Sequence, residues 1–368
     1  MRHLGRVVTW GIAAVNFLFV VLLLLTAYSP HFQPVVHPLW SCLGLAFPVF
    51  LLLNLLFLFF WLAVQCYRLS LLPLLALLLC YGQIQTYIPI NSQTDDLPDN
   101  TIKLLSYNVM GFAGCVKADG HNPILDYLQQ SEADILCLQE FATSESPKHL
   151  TLRDINRALK AYPYRRINHI GDLNGYNQLA VYSKFPILSV QRLKYASDYN
   201  GSVLYEIKVG KDTLCLINNH LESNKLTKED KVVYEDMLKA PEREKVKQGL
   251  RLLLRKLAEA SAIRAPQADS IAAAVARSPH TFKVVCGDFN DSPISYTHRV
   301  IADGLVDAFT HSGSGLGISY NQNKFYFRID NILTSNNIQS YNCTVDSSIE
   351  DSDHYPIWCY LSPRKENK

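Results

Sequence analysis

The first 90 residues of this 368-residue chain contain no Asp, no Glu and no Lys, and their only Arg residues are Arg2, Arg6 and Arg68. Such a stretch excludes an ordinary water-facing domain there. All 33 acidic residues follow it, with 32 of the 35 basic ones, so the remainder carries a net charge near −1. That balance provides no strongly basic face for gripping nucleic acid, although a local patch stays open. The nine cysteines contain no Cys-x-x-Cys pair, which removes the common zinc spacing. They form no disulfide framework either. Cys42, Cys66 and Cys80 lie in apolar runs, and Cys137, Cys215 and Cys286 lie inside strand-like runs, where they read as small buried hydrophobes. Cys343 and Cys359 flank the last two predicted strands, and whether they pair in an oxidising compartment stays open.

In place of charge, the N-terminal part has apolar length. Residues 7–28 are apolar except for Thr9, Asn16 and Thr26; residues 39–64 form a second run interrupted mainly by Asn54; residues 69–87 form a third with Pro73 near its start. Crossing a bilayer takes ~20 apolar residues in a helix, so three spans are expected. Arg2 and Arg6 also resemble the charged start of a signal peptide. The run is long and no clear small-x-small site follows, so it reads as retained. Arg2, His3 and Arg6 precede the first span, residues 29–38 have no Lys or Arg, and Arg68 sits between the second and third. The positive-inside rule then puts the N-terminus inside and everything after the third span outside.

Residues 91–100 are a polar linker. Beyond it, short β-rich runs are predicted at 102–109, 134–139, 178–183, 203–209, 213–218, 282–286, 325–333 and 357–361, with helices at 122–130 and 152–159. Gly210-Lys211-Asp212 reads as a hairpin turn. Strands with interspersed helices, and neither regular alternation nor a repeat, imply a mixed α/β domain of two packed sheets flanked by helices. Residues 224–280 are helical in pattern, with Val246, Leu250, Leu253, Leu254 and Leu257 at helix spacing. Ten basic and six acidic residues between 225 and 256 suit a solvated helix face better than a patch for anionic lipid or a polyanion, because the signs are interleaved.

The chemistry-bearing residues sit at the ends of these apolar runs. Asn108 closes Leu-Ser-Tyr-Asn, which alone is ordinary turn chemistry. Glu140 closes Ile-Leu-Cys-Leu-Gln-Glu, where a strand end would present a carboxylate to a hard cation such as Mg²⁺. His220 closes Leu-Cys-Leu-Ile-Asn-Asn-His. In Gly287-Asp288-Phe289-Asn290 the Gly allows close backbone approach, and Asp288 and Asn290 would face one side if the strand continues. A carboxylate there can deprotonate water and an amide can orient it. Asp330 lies within an apolar run, where a buried charge needs a partner, and an imidazole such as His354 in Ser352-Asp353-His354 is a natural one. Asp353 beside it could hold a metal.

In this order the elements resemble the endonuclease/exonuclease/phosphatase superfamily, which includes deoxyribonuclease I, exonuclease III, neutral sphingomyelinases and inositol polyphosphate 5-phosphatases. Gly-Asp-x-Asn and Ser-Asp-His are the specific motifs, and the resemblance covers about residues 101–363. The Ala180–Ile187 run and Arg264-x-x-Gln267-Ala268-x-x-Ile271 also look like family elements. The resemblance implies a four-layer α-β-β-α sandwich over residues 101–363, behind a three-helix transmembrane region (1–90) and the linker, with a tail at 364–368. It implies Mg²⁺, or Mn²⁺, at Glu140 with Asn108 and Asp353 nearby. Asp288 would activate the attacking water, Asn290 would orient it, His354 held by Asp330 would stabilise the pentavalent transition state, and His220 would contact a phosphate oxygen. The tyrosine or second acidic partner that some members place mid-chain has no clear counterpart; Tyr176, Asn177 and Gln178 lie in that region.

The chain therefore reads as a bacterial-type phosphoester hydrolase, multi-pass in the inner membrane, with its catalytic domain on the periplasmic or extracellular side. A lipid phosphodiester such as sphingomyelin suits the anchor and the missing basic charge; a nuclease or an inactive binding module are the alternatives. No protein partner is expected.

Overall fold

The computed structural model describes residues 2–115, 121–146, 148–171, 177–224, 243–322 and 326–364. Its N-terminal region is helical: α1 (Arg2–Ala27), α2 (Pro38–Ser41), α3 (Phe47–Ala63), α4 (Tyr67–Leu79) and α5 (Tyr81–Tyr87). Two stretches, Gly5–Ala27 and Pro38–Ala63, are long and apolar enough to cross a membrane. The expected third span is not one straight helix. α4 and α5 meet at a 62° bend, so it counts as a span only if the bent pair is taken together. Val20, Leu23, Phe47, Leu51 and Ala76 form the bundle's buried centre. Inside it, Trp61 Nε1 donates to Asn16 Oδ1 at 2.9 Å and Asn54 Nδ2 to the Phe19 carbonyl at 3.0 Å. Where water is scarce, polar groups have to find each other in this way.

Among the described residues twelve strands follow, in two six-stranded sheets: β1 (Ile102–Asn108), β2 (Ile135–Gln139), β3 (Tyr164–His169), β4 (Gln178–Ser183), β5 (Ile187–Arg192), β6 (Gly201–Val209), β7 (Asp212–His220), β8 (Phe282–Asp288), β9 (Leu305–Asp307), β10 (Asp330–Ser335), β11 (Ile338–Val345) and β12 (Ile357–Pro363). One sheet runs β11-β12-β1-β2-β4-β3, the other β5-β6-β7-β8-β10-β9. Alternation along each strand assigns its two faces. Leu104, Ile135 and Val181 meet Val203, Leu216 and Val284 between the sheets. The opposite face of the first sheet (Leu105, Leu136, Tyr182) is covered by Ile124, Leu128 and Ile155. That of the second (Ile217, Val285, Leu333) is covered by Ala268, Ile271 and Val275 of the helix Arg243–Arg277. The result is the α-β-β-α sandwich.

Local chemistry explains the elements. Asn122 caps the helix Pro123–Gln130 through its side chain, with Pro at the start. Thr151 and Asp154 form a capping box at Leu152–Ala158. The β6–β7 hairpin turns through Gly210 at φ 57°. The predicted run 325–333 starts late: Phe325 lies outside the described residues, Phe327 bridges Tyr320, and the strand begins at Asp330. Of the charged stretch 225–256, residues 225–242 lie outside the described residues. On the rest, Arg255 and Glu259 form an exposed pair four residues apart, as a solvated face requires. Cys343 and Cys359 are free, buried thiols.

Candidate active site

Two parallel pairings bring strand ends together. β1 and β2 run parallel with Asn108 opposite Gln139, and β7 and β8 run parallel with His220 opposite Asp288. β10 then lies antiparallel to β8, with Asp330 opposite Asp288. An amide, the residue before Glu140, an imidazole and two carboxylates therefore collect at one end of the sandwich. The sheets are locked near this end by Gln139, whose Nε2 donates to Ser106 Oγ (3.1 Å) and, across the interface, to Asn218 Oδ1 (2.6 Å). The backbone is strained where the chain leaves the strands. Glu140 (φ 48°) and Asn290 (φ 52°) are left-handed, at a cost on the order of 1 kcal/mol each. Gly287 (φ 123°) is required, because a Cβ there would lie 2.1 Å from the Asn219 carbonyl oxygen.

Asp288 is the hub. Asn290 was expected to share its face by strand alternation, but β8 ends at Asp288 and the chain turns back instead. The Asn290 backbone N–H donates to Asp288 Oδ1 at 2.8 Å and its Nδ2 to Oδ2 at 3.2 Å, a side-chain turn rather than a strand. Asn108 Nδ2 donates to the same Oδ2 (3.2 Å) and to Glu140 Oε1 (3.0 Å). Both His220 Nε2 and His354 Nε2 lie 3.7 Å from Asp288 Oδ2. Burial lifts the Asp288 carboxyl to about 6, against the pull of His354 and His220. Burial alone would depress the His354 imidazole. The Asp330 carboxylate, 2.7 Å from Nδ1, and Asp288 reverse this and hold it well above its ordinary value.

Other residues hold these in place. Asn177 Nδ2, an obligate donor, points at His220 Nδ1 (3.3 Å), which leaves the Nε2 proton facing the carboxylates. Ser352 Oγ donates to the Asn108 carbonyl (2.7 Å), and Ser319 Oγ accepts the backbone N–H groups of Ile329 and Asp330 (both 3.0 Å). The Tyr320 ring packs edge-on against His354 at 5.2 Å. Arg264 Nη1 donates to the Glu222 carbonyl (2.8 Å) and to Asn224 Oδ1 (2.9 Å), its Nε to Asp291 Oδ2 (3.3 Å), and Gln267 Oε1 accepts the Glu222 N–H (3.0 Å). Residues Arg264 and Gln267, singled out by pattern, therefore tie together the loops after β7 and β8. Ser319, Tyr320 and Ser352 carried no signal of their own, being common residues in loops. Tyr176 lies outside the described residues.

The donors suit a hard divalent cation. Glu140, whose side chain is 38% exposed, and Asp353 line a cleft of about 240 Å³ that also reaches His220, Asp288 and His354, and oxygen ligands of this kind are what Mg²⁺ and Mn²⁺ prefer. Asp288, Asp330 and His354 also place one donor atom each within 4.8 Å of the others. In that trio His354 Nδ1 is taken by its hydrogen bond to Asp330, and Nε2 faces Asp288 Oδ2 at 3.7 Å.

Residues 105–354 match the Endonuclease/Exonuclease/phosphatase family, and residues 7–87 match a domain of unknown function, DUF8431. No curated protein matches the chain. Among solved structures, the human Nocturnin catalytic domain with bound sulfate anion aligns with a TM-score of 0.50 at 15% identity, over 73% of this chain and 96% of that one. An endonuclease/exonuclease/phosphatase from Beutenbergia cavernae DSM 12333 aligns at 0.49 and 14%, over 72% of each chain. D. rerio TDP2 complexed with single strand DNA product aligns at 0.48 and 17%, over 72% of this chain and all of that one. At such identity the Nocturnin likeness speaks to the fold.

Proposed function

The chain belongs to the endonuclease/exonuclease/phosphatase family, and from that premise we propose that it hydrolyses a phosphodiester by attack of water on phosphorus, with Mg²⁺ or Mn²⁺ at the site. The observation that carries this reading is the convergence on the buried Asp288 carboxylate of two imidazoles and two amides at the ends of the strands. A general base works best with an affinity for protons near the working pH. Asp288 takes the proton of the attacking water. Asn290 and Asn108 hold the carboxylate and the water in line. His354, kept protonated by Asp330, donates to a non-bridging oxygen as negative charge builds in the transition state. His220 Nε2–H donates to another. The ester P–O bond breaks, and the alcohol leaves with a proton from solvent. Glu140, with Asp353 and Asn108 beside it, would hold the cation, which neutralises phosphate charge when bound.

The test is a substrate panel: purified full-length protein with Mg²⁺ or Mn²⁺, offered a soluble phosphodiester, sphingomyelin, inositol phosphates and plasmid DNA. Turnover of at least one, abolished by chelator, is expected. Turnover of none would leave a binding module as the reading. The chain is further read as membrane-anchored with the catalytic domain outside the cytoplasm, on the strength of Arg2, Arg6 and Arg68. A C-terminal reporter active only in the cytoplasm would overturn that orientation.

A further inference from the structure

The membrane helices do not merely tether the sandwich. The C-terminal end of α1, the start of α3 and the bend between α4 and α5 lie at one end of the bundle: Tyr28 Oη donates to the Leu79 carbonyl (2.9 Å), and the Phe47 and Tyr87 rings are 5.8 Å apart. Ile294, six residues past Asp288, is buried in the bundle's own apolar cluster. Gly44 meets it so closely that a Cβ would fall 1.9 Å from the Ile294 carbonyl oxygen. Arg299 Nε donates to the Pro30 carbonyl (2.9 Å) and the Gly315 N–H to that of Pro89 (2.9 Å).

This contact closes one side of the active-site cleft. Ser41, Cys42 and Leu45, from the segment between α1 and α3, line the cleft that holds Asp288 and His354. Leu45 continues into an apolar wall with Leu257, Ile294, Phe327 and Ile329. Next to Ser41 on α2, Leu39 (58% exposed) and Trp40 (52%) face away from the protein, as residues of a bilayer interface do. Among the described lining residues Arg264 is the one Lys or Arg; it is 2% exposed and committed to Glu222, Asn224 and Asp291. Among the described residues a polyanion would find no mobile cation on this wall.

We propose that the start of the second membrane stretch, Ser41 to Leu45, is a specificity-determining wall of the active site, and that the substrate is a membrane-resident phospholipid. The lipid enters sideways from the interface beside Trp40, rests its apolar part against Leu45, and presents its phosphodiester to Asp288 and His354. Water adds to phosphorus, its proton goes to Asp288, the ester P–O bond breaks, and the leaving oxygen takes a proton from solvent to depart as the alcohol. This rests on the hydrolase reading above.

The test uses full-length protein in vesicles with Mg²⁺. Its arms are vesicle-borne sphingomyelin, phosphatidylcholine and phosphatidylglycerol, soluble bis(p-nitrophenyl) phosphate, and plasmid DNA. At least one vesicle lipid should be cleaved with a higher kcat/KM than the soluble diester or DNA. Leu45→Ser should lower the ratio of lipid to soluble kcat/KM by about tenfold, because an apolar contact to the substrate is lost. Leu45→Met should keep the ratio, and thermal unfolding would show that both variants fold. Soluble diester or DNA preferred over every lipid, or an unchanged ratio in a folded Leu45→Ser, overturns the proposal and leaves the hydrolase reading standing. No turnover in any arm overturns both.

Discussion

The helix bundle and the catalytic end of the sandwich bury polarity in different ways. In the bundle it is sparse and neutral, Asn16 with Trp61 and Asn54 with a carbonyl. At the catalytic end it is dense and ionic: Asp288, Asp330, His220 and His354 are each 4% exposed or less. Burying an unpaired charge costs several kcal/mol, and the sandwich tolerates Asp288, Asp330 and His354 because each faces a partner. The bundle's pairs are neutral, whereas at the strand ends burial raises the Asp288 carboxyl and the Asp330 and Asp288 carboxylates hold His354 above its ordinary value. Between the two regions stands Arg328, which donates to the Thr86 carbonyl of α5 and lies 3.9 Å from Asp307.

The sharpest way to break this comparison is to remove a charge at the catalytic end. Asp288→Ala and His354→Ala should each lower kcat by about 10³-fold, while circular dichroism stays unchanged. A near-wild-type rate in either would sink the assignment of roles. Asp330→Asn should cost on the order of 10²-fold in kcat with KM little altered, because Asp330 acts through His354 rather than on the substrate. A rise in KM alone would reduce Asp330 to a structural residue.

The next effects concern stability. Asp307 is buried against His298 Nε2 (3.2 Å) and Arg328, and it caps the helix Ala308–Ser312. Burial pushes its carboxyl up, but His298 and Arg328 outweigh this and hold it below the ordinary 3.8. A depressed folded value means the stabilisation is complete above the unfolded value and is lost as pH falls below about 4. Acid titration of urea midpoints should show that loss, and Asp307→Asn should flatten it while costing about 3 kcal/mol at neutral pH. Asn218→Ala removes the partner of Gln139 on the facing sheet and should cost roughly 1–3 kcal/mol in urea unfolding. Asn16→Leu, in the bundle, should cost only about 0.6 kcal/mol in detergent, since both folded and unfolded helices there find partners. A larger loss from Asn16→Leu than from Asn218→Ala would reverse the contrast.

Much of the catalytic end was legible because chemistry sits where apolar runs stop. Asn108, His220 and Asp288 each end a buried strand and Glu140 directly follows one, and parallel pairing delivers those ends to one place. Strands at or near the sheet edges left no such mark. β3 is Tyr-Arg-Arg-Ile-Asn-His with most positions exposed, β5 is mostly exposed, β9 has three residues, and β11 shifts register between Tyr341 and Thr344. Alternation fails where neither face is buried or a bulge interrupts it. The wall of Ser41, Cys42 and Leu45 was also invisible, because membrane hydropathy masks any second role for an apolar residue.

The most direct test is a paired rate. Full-length wild type and Asp288→Ala, both folded, would be compared on bis(p-nitrophenyl) phosphate with Mg²⁺ and with EDTA. Wild-type turnover that EDTA removes and that Asp288→Ala lacks is the expected result. Equal rates in the two proteins with Mg²⁺, or wild-type turnover that EDTA leaves intact, would contradict it.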